Sequence, residues 1–148
     1  LLLFTSFAFQ TQSFAQVTHV ITLNVDTENL DRNNPEEESI SSFSTDQSIV
    51  ETAFPPREFT ITVETGSIIV WEAVSSSSSE DVIEIIEIER ESGPRIFSSD
   101  RIKTIGDGKV RALVQGETGT DVFKYQISFK VNGERRIYKI DPKIKVGS

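Results

Sequence analysis

FKYQISFKVNGERRIYKI, residues 123–140, is the stretch that decides the fold. Phe123, Tyr125, Ile127, Phe129 and Val131 fall on alternate positions, separated by Lys124, Gln126, Ser128 and Lys130. That period of two is the signature of a strand with one buried and one wet face, because successive side chains of an extended chain point to opposite sides. Asn132-Gly133 follows, a dipeptide that tolerates the positive φ angles required at both central positions of a tight hairpin turn. The returning strand runs through Ile137 and Tyr138 to Ile140. Asp141-Pro142 breaks it, and Lys143 to Val146 forms a last strand.

The same period recurs toward the N-terminus. Val17, His19, Ile21, Leu23 and Val25 alternate with Thr18, Val20, Thr22 and Asn24, predicting a half-buried first strand. Residues 26–38 read as an acidic loop. Residues 40–50 are Ser-rich and weakly patterned and predict one irregular strand, punctuated by Pro55-Pro56. Phe59 to Val63 alternates clearly, Thr65-Gly66-Ser67 turns, and Ile68 to Val74 is a strand carrying Trp71, the one tryptophan. Ser75 to Ser79 reads as a flexible connector. Val82 to Glu89 could open a helix through a Ser78/Asp81 capping box. Its β-branched content favours a strand instead, and the broken alternation at Ile85-Ile86 calls for a bulge or for burial on both faces. Ser92-Gly93-Pro94 turns the chain into a short segment at Arg95-Ile96-Phe97, and Gly106-Asp107-Gly108 precedes a strand from Val110 to Val114. About eight short strands with regular turn signals predict an all-β domain, an antiparallel β-sandwich.

Residues 1–15 resemble a secretory signal peptide. An apolar run from Leu1 to Phe9 is followed by Ser13-Phe14-Ala15, which has the small residues of a cleavage site. The expected mature chain is a single domain over residues 16–148, exported to the periplasm or beyond the cell and without a membrane anchor. Its fold must hold by packing and hydrogen bonding, because the chain contains no cysteine.

Two segments resemble cupredoxin-like domains. Val63-Glu64-Thr65-Gly66-Ser67-Ile68-Ile69-Val70-Trp71 is similar to the strand–turn–strand of small blue-copper proteins. The ending from Tyr125, Ile127 and Phe129 through Asp141-Pro142 to Ile144 and Val146 is similar to the closing hairpin of plastocyanin-like exported proteins. The resemblance implies a Greek-key sandwich. An immunoglobulin-like sandwich has nearly the same pattern. The family's copper chemistry does not carry over, since that site takes two imidazoles, a thiolate and a weak axial ligand. This chain has His19 alone, no Cys and no Met, so the expectation is a domain without bound copper or any other cofactor.

The net charge of −8 is unevenly distributed. Residues 1–100 carry 4 basic and 18 acidic side chains, whereas residues 101–148 carry 11 basic and 5 acidic ones. Cross-strand pairing of acidic with basic strands would use these charges structurally. Alternatively, Lys130, Arg135, Arg136, Lys139, Lys143 and Lys145 form a basic face for an unknown protein or an anionic surface polymer. The acidic total argues against nucleic acid.

Three further constellations have both a chemical and a plain structural reading. Glu84, Glu87 and Glu89 lie on one strand, and some jelly-roll glycosidases similar to laminarinases carry catalytic carboxylates at alternating positions of one strand. The 84–87 spacing places Glu84 on the opposite face unless a bulge intervenes. Exposed glutamates that discourage edge association are the alternative. Asp26, Glu28 and Asp31, with Glu36 to Glu38, supply hard oxygen ligands for calcium-dependent adhesion, without the spacing of an EF-hand. His19 has no partner His or Cys and reads as a packing or rim residue. The expectation is a non-catalytic binding or structural module.

Overall fold

The computed structural model describes residues 16–147; the predicted signal peptide lies outside the described residues. In chain order the strands are β1 (Thr18–Val25), β2 (Ser41–Thr45), β3 (Ile49–Thr52), β4 (Thr60–Glu64), β5 (Ile68–Ser75), β6 (Ile83–Ser92), β7 (Arg101–Lys103), β8 (Val110–Leu113), β9 (Phe123–Val131), β10 (Tyr138–Ile140) and β11 (Lys143–Gly147). A 3-10 turn, Pro56–Glu58, precedes β4. One sheet has the order β2-β1-β5-β8. The other has the order β3-β4-β11-β9-β6-β7, with β10 also paired to β9.

The deciding stretch folds as its pattern requires. Phe123, Tyr125, Ile127, Phe129 and Val131 are all buried. Asn132 (φ 52°) and Gly133 (φ 66°) take the two positive-φ positions, and the turn is closed by Glu134 N–H donating to the Val131 carbonyl (3.0 Å). The chain then spends Arg135 to Ile137 outside the ladder before Tyr138 pairs with Phe129. β10 and β11 follow β9 in one continuous register (Tyr138↔Phe129, Ile140↔Ile127, Lys143↔Lys124), so Asp141-Pro142 interrupts the strand without turning it.

Both sheets are mixed rather than purely antiparallel. β1 pairs with β5 in parallel, and β4 with β11 likewise. Parallel neighbours require a crossover connection, and the chain provides one by crossing between the sheets five times along its length. One crossing splits the predicted 40–50 strand in two. Asp46 accepts N–H bonds from Val20 (3.0 Å) and Gln47 (2.8 Å) and turns the chain from β2 in one sheet to β3 in the other.

One cluster of buried side chains is shared by the two sheets. It takes Ile21, Leu23, Val25, Ile69 and Trp71 from the first, and Ile61, Ile85, Ile88 and the β9 aromatics from the second. Trp71 and Tyr125 meet across it edge-on, with ring centroids 5.8 Å apart, and the indole N–H donates to the Tyr125 hydroxyl at 3.1 Å. Phe97 joins them, packed edge-on against both Trp71 and Phe123. The short segment at Arg95-Ile96-Phe97 is a loop, and Ile96 and Phe97 fill the core from it. The turn before them needs Gly93: its φ is +87°, and a Cβ there would lie 1.9 Å from the Val122 carbonyl oxygen.

Candidate functional site

The connection from β1 to β2 is stiffened by its own polar side chains. Asp26 accepts from the Asn29 side chain (2.7 Å), Asp31 from the Asn33 backbone N–H (2.6 Å), and the Asn34 side chain donates to the Asn29 carbonyl (2.9 Å). Short Asp and Asn side chains bond to nearby backbone in this way and so favour turns over helix or strand. Ser41 donates its hydroxyl to the Pro35 carbonyl, anchoring the far end of the loop to β2. So held, the loop forms one wall of an open cleft of about 390 Å³. Arg32, Asn33, Pro35, Glu36 and Glu37 come from the loop, Arg57 from the 3-10 turn and Lys139 from β10.

Three cations and two carboxylates line this cleft. Burial pushes the Glu36 carboxyl above its ordinary range, the charge of Asp141 adds to this, and Arg57 opposes it. Beside Glu36, burial also raises Glu91, followed by the charge of Asp141 and a hydrogen bond with it. The Gln126 side-chain amide donates to both Asp141 (3.1 Å) and Glu91 (3.3 Å), which holds those two acids together.

The predicted basic face divides into two groups. Lys143 of β11 is paired with Glu58 of the 3-10 turn at 2.5 Å, and Lys145 of β11 reaches across β4 to Glu51 of β3 at 2.6 Å, so these two are used structurally. Arg135 and Arg136 stand exposed at the hairpin tip and Lys139 is exposed on the returning strand. Among the described residues no carboxylate lies within ion-pairing distance of Arg135, Arg136, Lys139, Arg32 or Arg57.

The glutamates of β6 share one face after all. Register shifts between Ile85 and Glu87, so Ile86 is the extra residue of a bulge, and Glu84, Glu87 and Glu89 stand opposite Lys130, Ser128 and Gln126. Arg101 of β7 spans two of them, at 2.9 Å from Glu89 and 3.7 Å from Glu87. Trp71 is fully buried in the core, whereas these glutamates lie on the other face of their sheet, half-buried. The arrangement of paired carboxylates beside a tryptophan platform is therefore not formed.

Asp26, Glu28 and Asp31 do not converge either. Among the described residues no group of three His, Cys, Asp or Glu side chains is placed to hold a metal ion. His19 is buried at one end of the core, with Nδ1 2.8 Å from the Ser48 hydroxyl and Nε2 3.2 Å from Glu64. Both ring nitrogens are thus engaged, and this lone imidazole does not fit a copper site. It joins β1 of one sheet to β4 of the other.

No family model matches this chain, and no curated protein matches it. A solved structure does. The crystal structure of an inclusion body protein, PixA, from Burkholderia cenocepacia is similar over 93% of this chain and 99% of that one, with a TM-score of 0.67 and 10% sequence identity. At that identity the likeness is one of fold.

Lys139, Arg135 and Arg136 stand out in the sequence, whereas Arg32 and Arg57, which line the cleft with Lys139, do not. Arg32 is the lone cation of the acidic loop and Arg57 follows a Pro-Pro pair. Neither signal says that the two will face Lys139. Ser75 to Ser79 also differs from its expected flexible role. Thr27 contacts Ser75 (2.7 Å) and donates to Asp81 (2.6 Å), and the Ser75 hydroxyl accepts from Ser77 N–H and Ser78 N–H, tying this loop to the start of the acidic one.

Proposed function

We propose that this chain is a non-catalytic, exported binding domain that holds an anionic protein or surface polymer at its cationic hairpin. The observation that carries the reading is charge left without a partner. In a protein of net charge −8, whose Lys143, Lys145 and Arg101 are all neutralised, Arg135, Arg136 and Lys139 project unpaired into solvent. Concentrated cationic charge on an otherwise acidic molecule orients it toward an anion. Two sheets around one core support the finer fold reading, a Greek-key sandwich of cupredoxin-like or immunoglobulin-like type without bound copper.

The test is retention of the chain on a dextran sulfate column at low ionic strength. Net charge alone would exclude this acidic protein from a polyanion. Retention that disappears in Arg135→Ala/Arg136→Ala supports the hairpin reading. Passage of the unaltered chain in the void volume overturns it.

A structural, self-associating role is the second reading. It is favoured by the fold likeness to an inclusion body protein and by Ile49 (68% exposed) on the edge strand β3, with Phe54 (52% exposed) in the loop just after it. Light scattering that shows a concentration-dependent mass, abolished by Ile49→Lys, would favour it over the first.

A further inference from the structure

The cleft formed by Arg32, Arg57 and Lys139 with Glu36 and Glu37 is chemically distinct from the hairpin tip. Its volume of about 390 Å³ falls in the range of small-molecule sites, about 300–1,000 Å³. A guanidinium presents a planar fork of donors that matches a carboxylate in two places, and an ammonium adds a point charge. A ligand carrying two negative charges on one group would meet the charges of Glu36 and Glu37 as well as those of the cations. A ligand with one carboxylate and several hydroxyls would not. Its acid would face the guanidinium groups and its hydroxyls would donate to the glutamates. Pro35 supplies the apolar surface that the C–H face of a sugar ring needs. Asn33 offers both a donor and an acceptor.

From this arrangement we infer that the cleft binds a carboxylated sugar, one uronate unit of an acidic polysaccharide, with Arg32, Arg57 and Lys139 on the carboxylate and Glu36 and Glu37 on the hydroxyls. The inference rests on the anionic-partner reading and narrows it to one chemical class and one place. The hairpin tip collects the polyanion by its charge, and the cleft selects the sugar.

Calorimetric titration of the full chain with a short oligogalacturonate tests it, with a neutral malto-oligosaccharide and inorganic phosphate as controls. Saturable binding of the uronate alone is expected. Arg57→Gln and Arg32→Gln should each weaken Kd by about tenfold, the size of a lost charge-assisted hydrogen bond. Lys103→Ala, at an exposed cation on β7 outside both the cleft and the hairpin, should leave Kd within about twofold, as a site with no shared partner does. All three residues are exposed, so folding is not at stake. Equal binding of the neutral oligosaccharide, tighter binding of phosphate, or a loss that follows Arg136 and spares Arg57 would each overturn the cleft assignment. If the chain is still retained on dextran sulfate in those cases, the anionic-partner reading stands without it. If neither the uronate binds nor the column retains the chain, both fall.

Discussion

Trp71 and Tyr125 reach each other from opposite sheets, and each satisfies the polar atom of the other in a place water does not enter. Burial pushes the Tyr125 hydroxyl well above its ordinary pKa, with the Trp71 bond opposing, so it stays a neutral phenol. A buried hydroxyl without a partner costs about 1–3 kcal/mol, and removing part of a core indole adds a cavity cost. Trp71→Phe is therefore expected to destabilise the fold by about 2–4 kcal/mol, measured by urea unfolding. Tyr125→Phe in that background should cost less than it does alone, because it removes the orphaned hydroxyl. Strict additivity in the double-mutant cycle would show that the bond carries no coupling. At the other end of the core, His19 does similar work with two partners. Its role as a packing or rim residue was readable from its place on an apolar strand face, but Ser48 and Glu64 were not. They are 29 and 45 residues away in sequence, and no local pattern links such distant positions.

Among the elements, the β9–β10 hairpin carries the sharpest local specification. Asn132 holds a positive φ that most side chains resist. Its amide also accepts from the Val82 backbone N–H (2.8 Å) and donates to Asp81 (2.8 Å), locking the turn to the start of β6. Asn132→Ala loses both bonds and strains the backbone, for an expected cost of about 1–3 kcal/mol. Asn132→Gly keeps the φ but not the bonds and should fall between the two. Equal stability of all three in thermal melts would mean that the turn is fixed from elsewhere. The alternating strands β1, β4, β5 and β9 were legible because their large buried side chains recur mainly at every second position, a period written directly in the residues. β7 was not, since three residues hold too little periodicity to register. The β6 bulge was half legible: Ile85-Ile86 marks where alternation fails, but only the ladder with β9 decides that Ile86 is the extra residue. Mixed sheets were illegible for a different reason. Parallel or antiparallel pairing depends on where crossovers land, and alternation looks the same in either case. The candidate site divides likewise. Its hairpin cations cluster in sequence, whereas Arg32 and Arg57 reach Lys139 only through the fold.

Across the whole molecule the carboxylates set how stability varies with pH. Hydrogen bonds or cations hold most of the affected acids below their ordinary values: Asn29 at Asp26, Lys145 at Glu51, Lys143 at Glu58, Thr27 at Asp81, Arg90 at Asp100 and Arg111 at Asp107. At Asp46 burial pulls upward, but bonds from the Val20 and Gln47 N–H groups outweigh it. A lowered group binds its proton more weakly in the folded chain. The stability it contributes is present above its unfolded pKa and is lost as pH falls through the folded one. Glu36 and Glu91 run the other way: burial, and then the charge of Asp141, raise both. Their contribution is full below the unfolded value and is lost as pH rises through the folded one. From neutral pH downward the two raised acids therefore respond first and stabilise the fold. The seven lowered ones respond later and destabilise it. The melting temperature should rise slightly from pH 7 to a shallow maximum near about pH 5 and fall steeply below about pH 4. Glu36→Gln/Glu91→Gln should melt higher than the unaltered chain at pH 7 and lose the rise, while keeping the acid fall. Calorimetry at pH 7, 5 and 3 separates the cases. A melting temperature that only declines from pH 7, or a rise that survives in the double variant, would remove burial of Glu36 and Glu91 beside Asp141 as the source of the rise.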